Sequence, residues 1–212
     1  MTINIIDYGS GNLQSARNAF EKVSKELNQP VKIHVSRNAD DLKNTSGIVL
    51  PGVGSFSDCK NGVESIDGMI EALNYYIIKC GIPFFGICVG MQLLASKSFE
   101  NGEDDGFSWI YGDVVKINKQ TDFPVPHMGW NNLEIKYSHP ILKGIRNGDH
   151  AYFVHSYKFI SANKKHVIAT TDYSSIVEAV IARDNIIGTQ FHPEKSQGTG
   201  MQIIKNFLTW QP

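Results

Sequence analysis

Cysteine is scarce in this chain: Cys59, Cys80 and Cys88 are the only three. An odd, sparse set without framework spacing excludes a disulfide scaffold and reads as reduced thiols of a cytosolic protein. There is no C-x-x-C pair and no H-E-x-x-H or H-x-x-E-H pattern, so neither a zinc finger nor a catalytic metal is expected. Long apolar runs are missing too. Nothing approaches the roughly 18 residues of a membrane span, and Met1-Thr2-Ile3-Asn4-Ile5-Ile6-Asp7 has neither a basic start nor a long apolar stretch. We therefore expect no signal peptide, no membrane association and a cytoplasmic location. Excess charge of one sign is lacking: 20 basic residues face 21 acidic ones, for a net charge of -1. That leaves no footprint for nucleic acid or an anionic lipid surface. No G-K-[ST] occurs, and Gly9-Ser10-Gly11 lacks the third glycine of a dinucleotide fingerprint. A tight turn capping the first helix is the expectation there, and no cofactor is expected.

What is present suits a folded globular chain, with 42% hydrophobic and 19% charged residues. Without repeats or linkers, residues 1–212 are expected to form a single domain. The first half alternates short apolar runs with helical periodicity. Strands are predicted at Ile3–Ile6, Val31–Val35, Ile48–Leu50 and Ile82–Phe85. Helices are predicted through Leu13, Ala16, Phe20, Val23 and Leu27, through Phe56 to Ile77, and over Met91–Ser98. From about Ile110 to Phe159 the runs are short, aromatic and punctuated by turns, suggesting antiparallel strands added to the sheet. A last strand, Ile186–Phe191, leads into His192-Pro193-Glu194, and a helix over about Gly200–Trp210 closes the chain. The expected fold class is α/β: a mostly parallel central sheet, helices on both faces, and added antiparallel strands. In such sheets ligands lie beyond the carboxyl ends of the strands.

Three turns at predicted strand ends carry candidate chemistry. In Gly86-Ile87-Cys88-Val89-Gly90 the cysteine occupies a sharp strand-to-helix turn, the geometry of a nucleophile elbow. Helix N-terminal amides there would favour the reactive thiolate and could hold an oxyanion. Taken alone the motif reads equally as a small buried hydrophobe, which is the reading for Cys59 and Cys80. His192-Pro193-Glu194 offers a base and a carboxylate to orient it, or, read alone, a surface turn. Pro51-Gly52-Val53-Gly54 could supply a second oxyanion donor or be an ordinary crossover turn. Of the other histidines, His127, His139, His150 and His166 fall in turn-like stretches, as solvated or structural residues. His34 falls in a strand, and His155 is the one rival base.

Taken in this order, Pro51-Gly52-Val53-Gly54, Gly86-Ile87-Cys88-Val89-Gly90-Met91-Gln92 and His192-Pro193-Glu194 resemble the class I, triad-type glutamine amidotransferases, whose fold is flavodoxin-like. The resemblance covers nearly the whole chain. It implies Cys88 as nucleophile on the glutamine side-chain amide, His192 as proton shuttle and Glu194 as its orienting group. It implies the backbone of Val53 and Val89 as the oxyanion hole. Gly52, Gly54 and Gln92 are implied as substrate contacts, and His155-Ser156-Tyr157 as the segment receiving the amino-acid head of glutamine. Ile6–Leu13, Pro126-His127-Met128-Gly129-Trp130-Asn131 and His192–Ser196 look like the glutaminase-subunit branch of imidazole glycerol phosphate synthases, in histidine biosynthesis. That branch implies a heterodimer with a separate (β/α)8-barrel synthase subunit, with no synthase domain fused to this chain. The barrel would receive ammonia and form imidazole glycerol phosphate and AICAR. Lys195 and the aromatic segment around Tyr152 become interface candidates. Two alternatives stand: a paralogue feeding ammonia to amidino-sugar or vitamin B6 synthesis, and a non-catalytic partner-binding relative.

Overall fold

The computed structural model describes residues 1–9, 12–119 and 122–212. In chain order its first elements are β1 (Thr2–Ile6), α1 (Leu13–Lys25), β2 (Lys32–Ser36), β3 (Gly47–Gly52), α2 (Phe56–Glu64), α3 (Met69–Leu73), β4 (Phe84–Cys88) and α4 (Val89–Gln92). Short strands follow: β5 (Lys97–Ser98), β6 (Asp104–Asp105), β7 (Gly112–Lys116), β8 (His127–Asn132), β9 (Glu134–Ile135), β10 (His150–His155) and β11 (Tyr157–Ser161). The chain ends with β12 (Val167–Asp172), β13 (Ile176–Arg183), β14 (Ile186–Thr189) and α5 (Gln197–Thr209).

The main sheet runs β2-β1-β3-β4-β14-β13-β12-β9. Its first five strands are parallel and its last three antiparallel. Every residue of β3 and β4 is buried, as expected of parallel strands covered on both faces. Successive side chains of a strand point to opposite faces, and β4 displays this with two phenylalanines. Phe84 meets Trp109 edge-on at 5.2 Å, while Phe85 packs on Phe20 of α1 at 6.2 Å and Phe207 of α5 at 5.3 Å. Burying each such ring contributes about 1.5–3 kcal/mol. Helix α1 lays Ala16, Ala19, Phe20 and Val23 against the sheet. Lys22 and Lys25 stand in its last turn, where positive charge favours the carbonyl end. Among the described residues no helix is long and apolar enough to cross a membrane.

The parallel framework forms where the apolar periodicity places it, and three expectations need correction. The helix predicted from Phe56 to Ile77 is broken between α2 and α3, where Gly68 adopts a left-handed φ of 67°; it then ends in a π-helical turn over Asn74–Lys79. The helix predicted over Met91–Ser98 stops as the single turn α4. The carbonyls of Leu93, Leu94, Ala95 and Ser96 accept from the amides of Phe107, Ile110, Ser108 and Gly106, so they are taken by another segment of chain. Between Ile110 and Phe159 only β9 joins the main sheet. β10 pairs with β8, and β11, β7, β5 and β6 make a third sheet. The antiparallel strands added to the main sheet come chiefly from β12 and β13, whose residues are almost all buried and show no alternation. The turn expected at Gly9-Ser10-Gly11 includes Ser10 and Gly11, which lie outside the described residues.

Candidate active site

Strands β4 and β14 are neighbours, with Thr189 opposite Ile87, so the residues just past their carboxyl ends emerge side by side. Cys88 takes φ 55° and ψ -110°, a conformation L-residues rarely adopt, and its sulfur is turned out of the strand. Close packing of glycines permits the bend. A Cβ on Gly90 would lie 1.9 Å from the Leu50 carbonyl oxygen, one on Gly86 2.4 Å from the Gly90 carbonyl oxygen, and one on Gly52 2.5 Å from the Gly90 nitrogen. Since α4 has only four residues, individual amides rather than a helix macrodipole are what it presents near the sulfur.

His192 follows β14 and is 1% exposed. Its backbone N–H donates to the Tyr152 carbonyl at 3.0 Å, and its carbonyl accepts from the Ser196 hydroxyl at 2.7 Å. The ring Nδ1 bonds Glu194 Oε1 at 2.7 Å, and the ring also hydrogen-bonds Cys88. With Nδ1 engaged by the carboxylate, the sulfur falls to Nε2. Burial works against charging this imidazole, but the Cys88 thiolate and the Glu194 carboxylate outweigh it and push His192 up to about 10. The Glu194 side chain is 1% exposed, and its Oε1 also accepts from the Asn12 side-chain amide. Asn12 stands before α1 yet makes no side-chain cap bond, because its amide is turned to this carboxylate.

A cavity of about 340 Å³ opens over the sulfur. Cys88, Val53, Gly54, Val89, Gln92, His155, Ser156, Tyr157 and His192, all singled out from sequence, form most of its wall. Glu194 sits behind His192, and Gly52 lies beneath the elbow, off the cavity wall. His155 does not act as a rival base. Its Nδ1 bonds the Tyr157 carbonyl at 2.8 Å, its Nε2 faces His127, and burial pushes its pKa down to about 3. His127, expected in a turn, is instead a strand residue and 2% exposed.

Sequence reasoning missed three wall or support residues. Gln190 is fully buried and directs Nε2 at the Cys88 sulfur, 3.7 Å away; its signal is a lone amide two residues before His192 in an apolar strand, on the same face. Asn12 was visible only as part of a motif. Glu100 lines the cavity while accepting from the Phe56 amide at 2.8 Å. At the mouth, the Lys195 ammonium stands 5.9 Å from the centre of the Tyr152 ring.

The family model described as glutamine amidotransferase class-I matches residues 4–210. The chain is 49% identical to the imidazole glycerol phosphate synthase subunit HisH of Rhodopseudomonas palustris and 47% identical to that of Brucella suis, in each case over 100% of both chains. A solved glutamine amidotransferase structure superposes with a TM-score of 0.70 at 16% identity, covering 97% of this chain and 96% of that one.

Proposed function

The chain belongs to the class I glutamine amidotransferase family, and from that premise we propose that it is the glutaminase subunit of an imidazole glycerol phosphate synthase. In this reading it hydrolyses glutamine to glutamate and ammonia for histidine biosynthesis. One observation carries the chemistry: a buried imidazole bonded on one side to a carboxylate and on the other to a cysteine sulfur on a cavity wall. The sparse thiols agree with a reducing cytoplasm.

The proposed steps begin with the Cys88 proton on His192, whose ring is held between the sulfur and Glu194. The Cys88 thiolate attacks the side-chain amide carbon of glutamine, and the carbonyl electrons move to oxygen. Backbone N–H groups of Val53 and Val89 receive that oxyanion. The His192 imidazolium gives its proton to the amide nitrogen, the C–N bond breaks, and ammonia leaves a glutamyl thioester. Neutral His192 then takes a proton from water as the hydroxide adds to the thioester carbon. Collapse of that intermediate expels the Cys88 thiolate and releases glutamate, restoring the resting pair. Glu194 holds the His192 tautomer throughout. Gly54, Gln92 and the His155–Tyr157 backbone position the substrate, with Gly52 supporting the turn from below.

The relatives' description as a subunit implies a partner. We assign that partner as a (β/α)8-barrel synthase, which takes the ammonia and forms imidazole glycerol phosphate and AICAR. The exposed Met128 and Trp130 beside the Lys195–Tyr152 mouth support docking on this side. The test is glutamine turnover by the purified chain with and without the histidine-pathway barrel and its nucleotide acceptor. Stimulation by that pair, and loss of turnover by several orders of magnitude in Cys88→Ala, are expected. Stimulation only by an amidino-sugar or vitamin B6 synthase would overturn the assignment.

A further inference from the structure

Beneath the cavity lies a chain of hydrogen bonds whose direction is fixed at both ends. His127 of β8 and His155 of β10 are directly opposed across the two-stranded sheet, and their rings are almost fully buried. The Tyr157 carbonyl can only accept, so the His155 Nδ1, 2.8 Å away, carries a proton. His155 Nε2 is then the acceptor, and the proton in its 3.0 Å contact belongs to His127 Nδ1. That leaves His127 Nε2 as an acceptor, 3.3 Å from Asn131 Nδ2. The Asn131 amide cannot be turned over: its Nδ2 also donates to the Asp172 carbonyl at 2.9 Å, and its Oδ1 accepts from the Asn132 amide at 2.8 Å. Both imidazoles are therefore neutral Nδ1–H tautomers, whereas free neutral histidine in water favours Nε2–H. Burial, which pushes His127 down to about 4 and His155 to about 3, keeps them neutral. His127 is further clamped between Phe153 and Tyr173, at 4.8 and 3.8 Å with nearly parallel planes.

The lower end of this chain reaches the substrate cavity. The Tyr157 carbonyl takes a second bond from Gln92 Nε2 at 3.0 Å, and the same nitrogen donates to Gln190 Oε1 at 3.1 Å. Gln190 in turn faces the Cys88 sulfur. Two buried imidazoles are an expensive way to fill a core, because each polar nitrogen must keep its partner. Here every one does, and the chain terminates on a backbone carbonyl of the cavity wall.

We propose that Asn131, His127 and His155 form a one-directional positioning relay that anchors the Tyr157 carbonyl, and with it the Ser156–Tyr157 backbone and the Gln92 amide, to strand β8. The proposal rests on the glutaminase reading for its substrate. These are positioning residues that act through Tyr157 and Gln92. Strand β8 also carries the exposed Met128 and Trp130, so the relay ties the substrate wall to the face assigned to the partner.

Two measurements test it. In the full chain labelled with 15N-histidine, both His127 and His155 should give the neutral Nδ1–H signature at pH 7, assigned by the missing signals of single-site variants. An Nε2–H tautomer or a charged ring at either position overturns the relay, whatever reaction the protein catalyses. In the complex with the barrel subunit, His155→Leu should raise the KM for glutamine about tenfold, the size of one lost hydrogen bond to a buried carbonyl, with kcat changed far less. His155→Asn, whose amide nitrogen takes the place of Nδ1, should recover most of that loss. His127→Phe preserves the stack, removes the donor and should shift KM in the same direction; it serves if His155→Leu does not fold. An equal fall in kcat, or no recovery with asparagine, overturns the proposal. Absence of glutamine turnover in the unmodified complex would sink the functional reading instead and leave the tautomer result standing.

Discussion

Two glycines hold the two halves of the candidate catalytic pair, and their replacement gives a sharp test of the packing. At Gly90 a Cβ would lie 1.9 Å from the Leu50 carbonyl oxygen, and at Gly200 1.8 Å from that of Pro193. Both obstacles are backbone atoms, so neither can swing aside as a long side chain could. The strain of forcing such a methyl into a packed site is typically about 1–3 kcal/mol, and backbone contacts this close belong at the upper end. For a chain of this size each kcal/mol moves the melting temperature by about 2–4 °C, so Gly90→Ala and Gly200→Ala should each lower Tm by about 6–12 °C. The consequences for chemistry differ in origin. Relief at position 90 pushes the elbow, and Cys88 with it, away from β3. Relief at position 200 pushes the Pro193 peptide, and hence His192, away from α5. A misplacement of about 1 Å between reacting groups costs on the order of 10²-fold in rate.

The control is Gly198→Ala in the same helix as Gly200, where an added Cβ meets nothing within 4 Å. Its Tm should stay within about 2 °C of the parent. Calorimetry and glutamine turnover in the partner complex read both effects. Parent-like Tm and turnover in Gly90→Ala and Gly200→Ala would refute the claim that these contacts set the geometry.

Three further outcomes are expected. Asn12→Ala removes a donor to the buried Glu194 carboxylate but no helix cap; a hydrogen bond to a charged group contributes about 1.5–3 kcal/mol, so Tm should fall by about 3–12 °C and kcat/KM about 10- to 100-fold, and a fall in kcat/KM under about twofold would contradict it. Alkylation of the native protein at pH 8, read by mass spectrometry, should modify Cys88 and Cys80, which is exposed where a buried thiol was expected, and spare Cys59, whose burial pushes its pKa up to about 11; native-state labelling of Cys59 would refute this. Removing the Cys88 side chain in Cys88→Ala leaves burial opposed by Glu194 alone, so the His192 pKa should drop from about 10 when followed by NMR. For an ion pair the folded state holds its one proton on His192, and the unfolded chain keeps one on the thiol up to about 8.5, so the stabilisation is lost as pH rises from about 8.5 toward 10; the parent should lose Tm over that window and Cys88→Ala less, and identical slopes would count against the ion pair.

The parallel half of the fold was legible because its signals are local. Apolar runs end at glycine turns in β1, β3 and β4, and α1 repeats its buried residues at three- and four-residue steps. What escaped depends on partners distant in sequence. Leu93–Ser96 has helical composition, yet its carbonyls are claimed by residues 106–110. Strands β12 and β13 carry no alternation because both their faces are covered. The candidate site divides in the same way. Cys88, His192 and Glu194 stand in short motifs that name their chemistry. His127 and Gln190 do not, since a histidine near turn residues and an amide in a strand look ordinary until the chain is folded.

That division has a structural cause in the order of the sheet. Placing β14 beside β4 lets Thr189 pair with Ile87, so the next residues of each strand leave the sheet together. Gln190 and His192, two apart, project to the same side, and both reach the Cys88 sulfur. One offers a fixed amide donor, the other a proton that can leave and return. Strand β10 then closes the arrangement from the far side: its Tyr152 carbonyl holds the His192 amide, while His155, at its end, holds Tyr157. The sulfur is thus addressed by β14, and the substrate wall by β8 and β10. Because the two groups of strands meet through the Tyr152–His192 bond and the Gln92–Gln190 bond, the proposed partner, pressing on β8, would act on the surroundings of Cys88 without touching the sulfur itself.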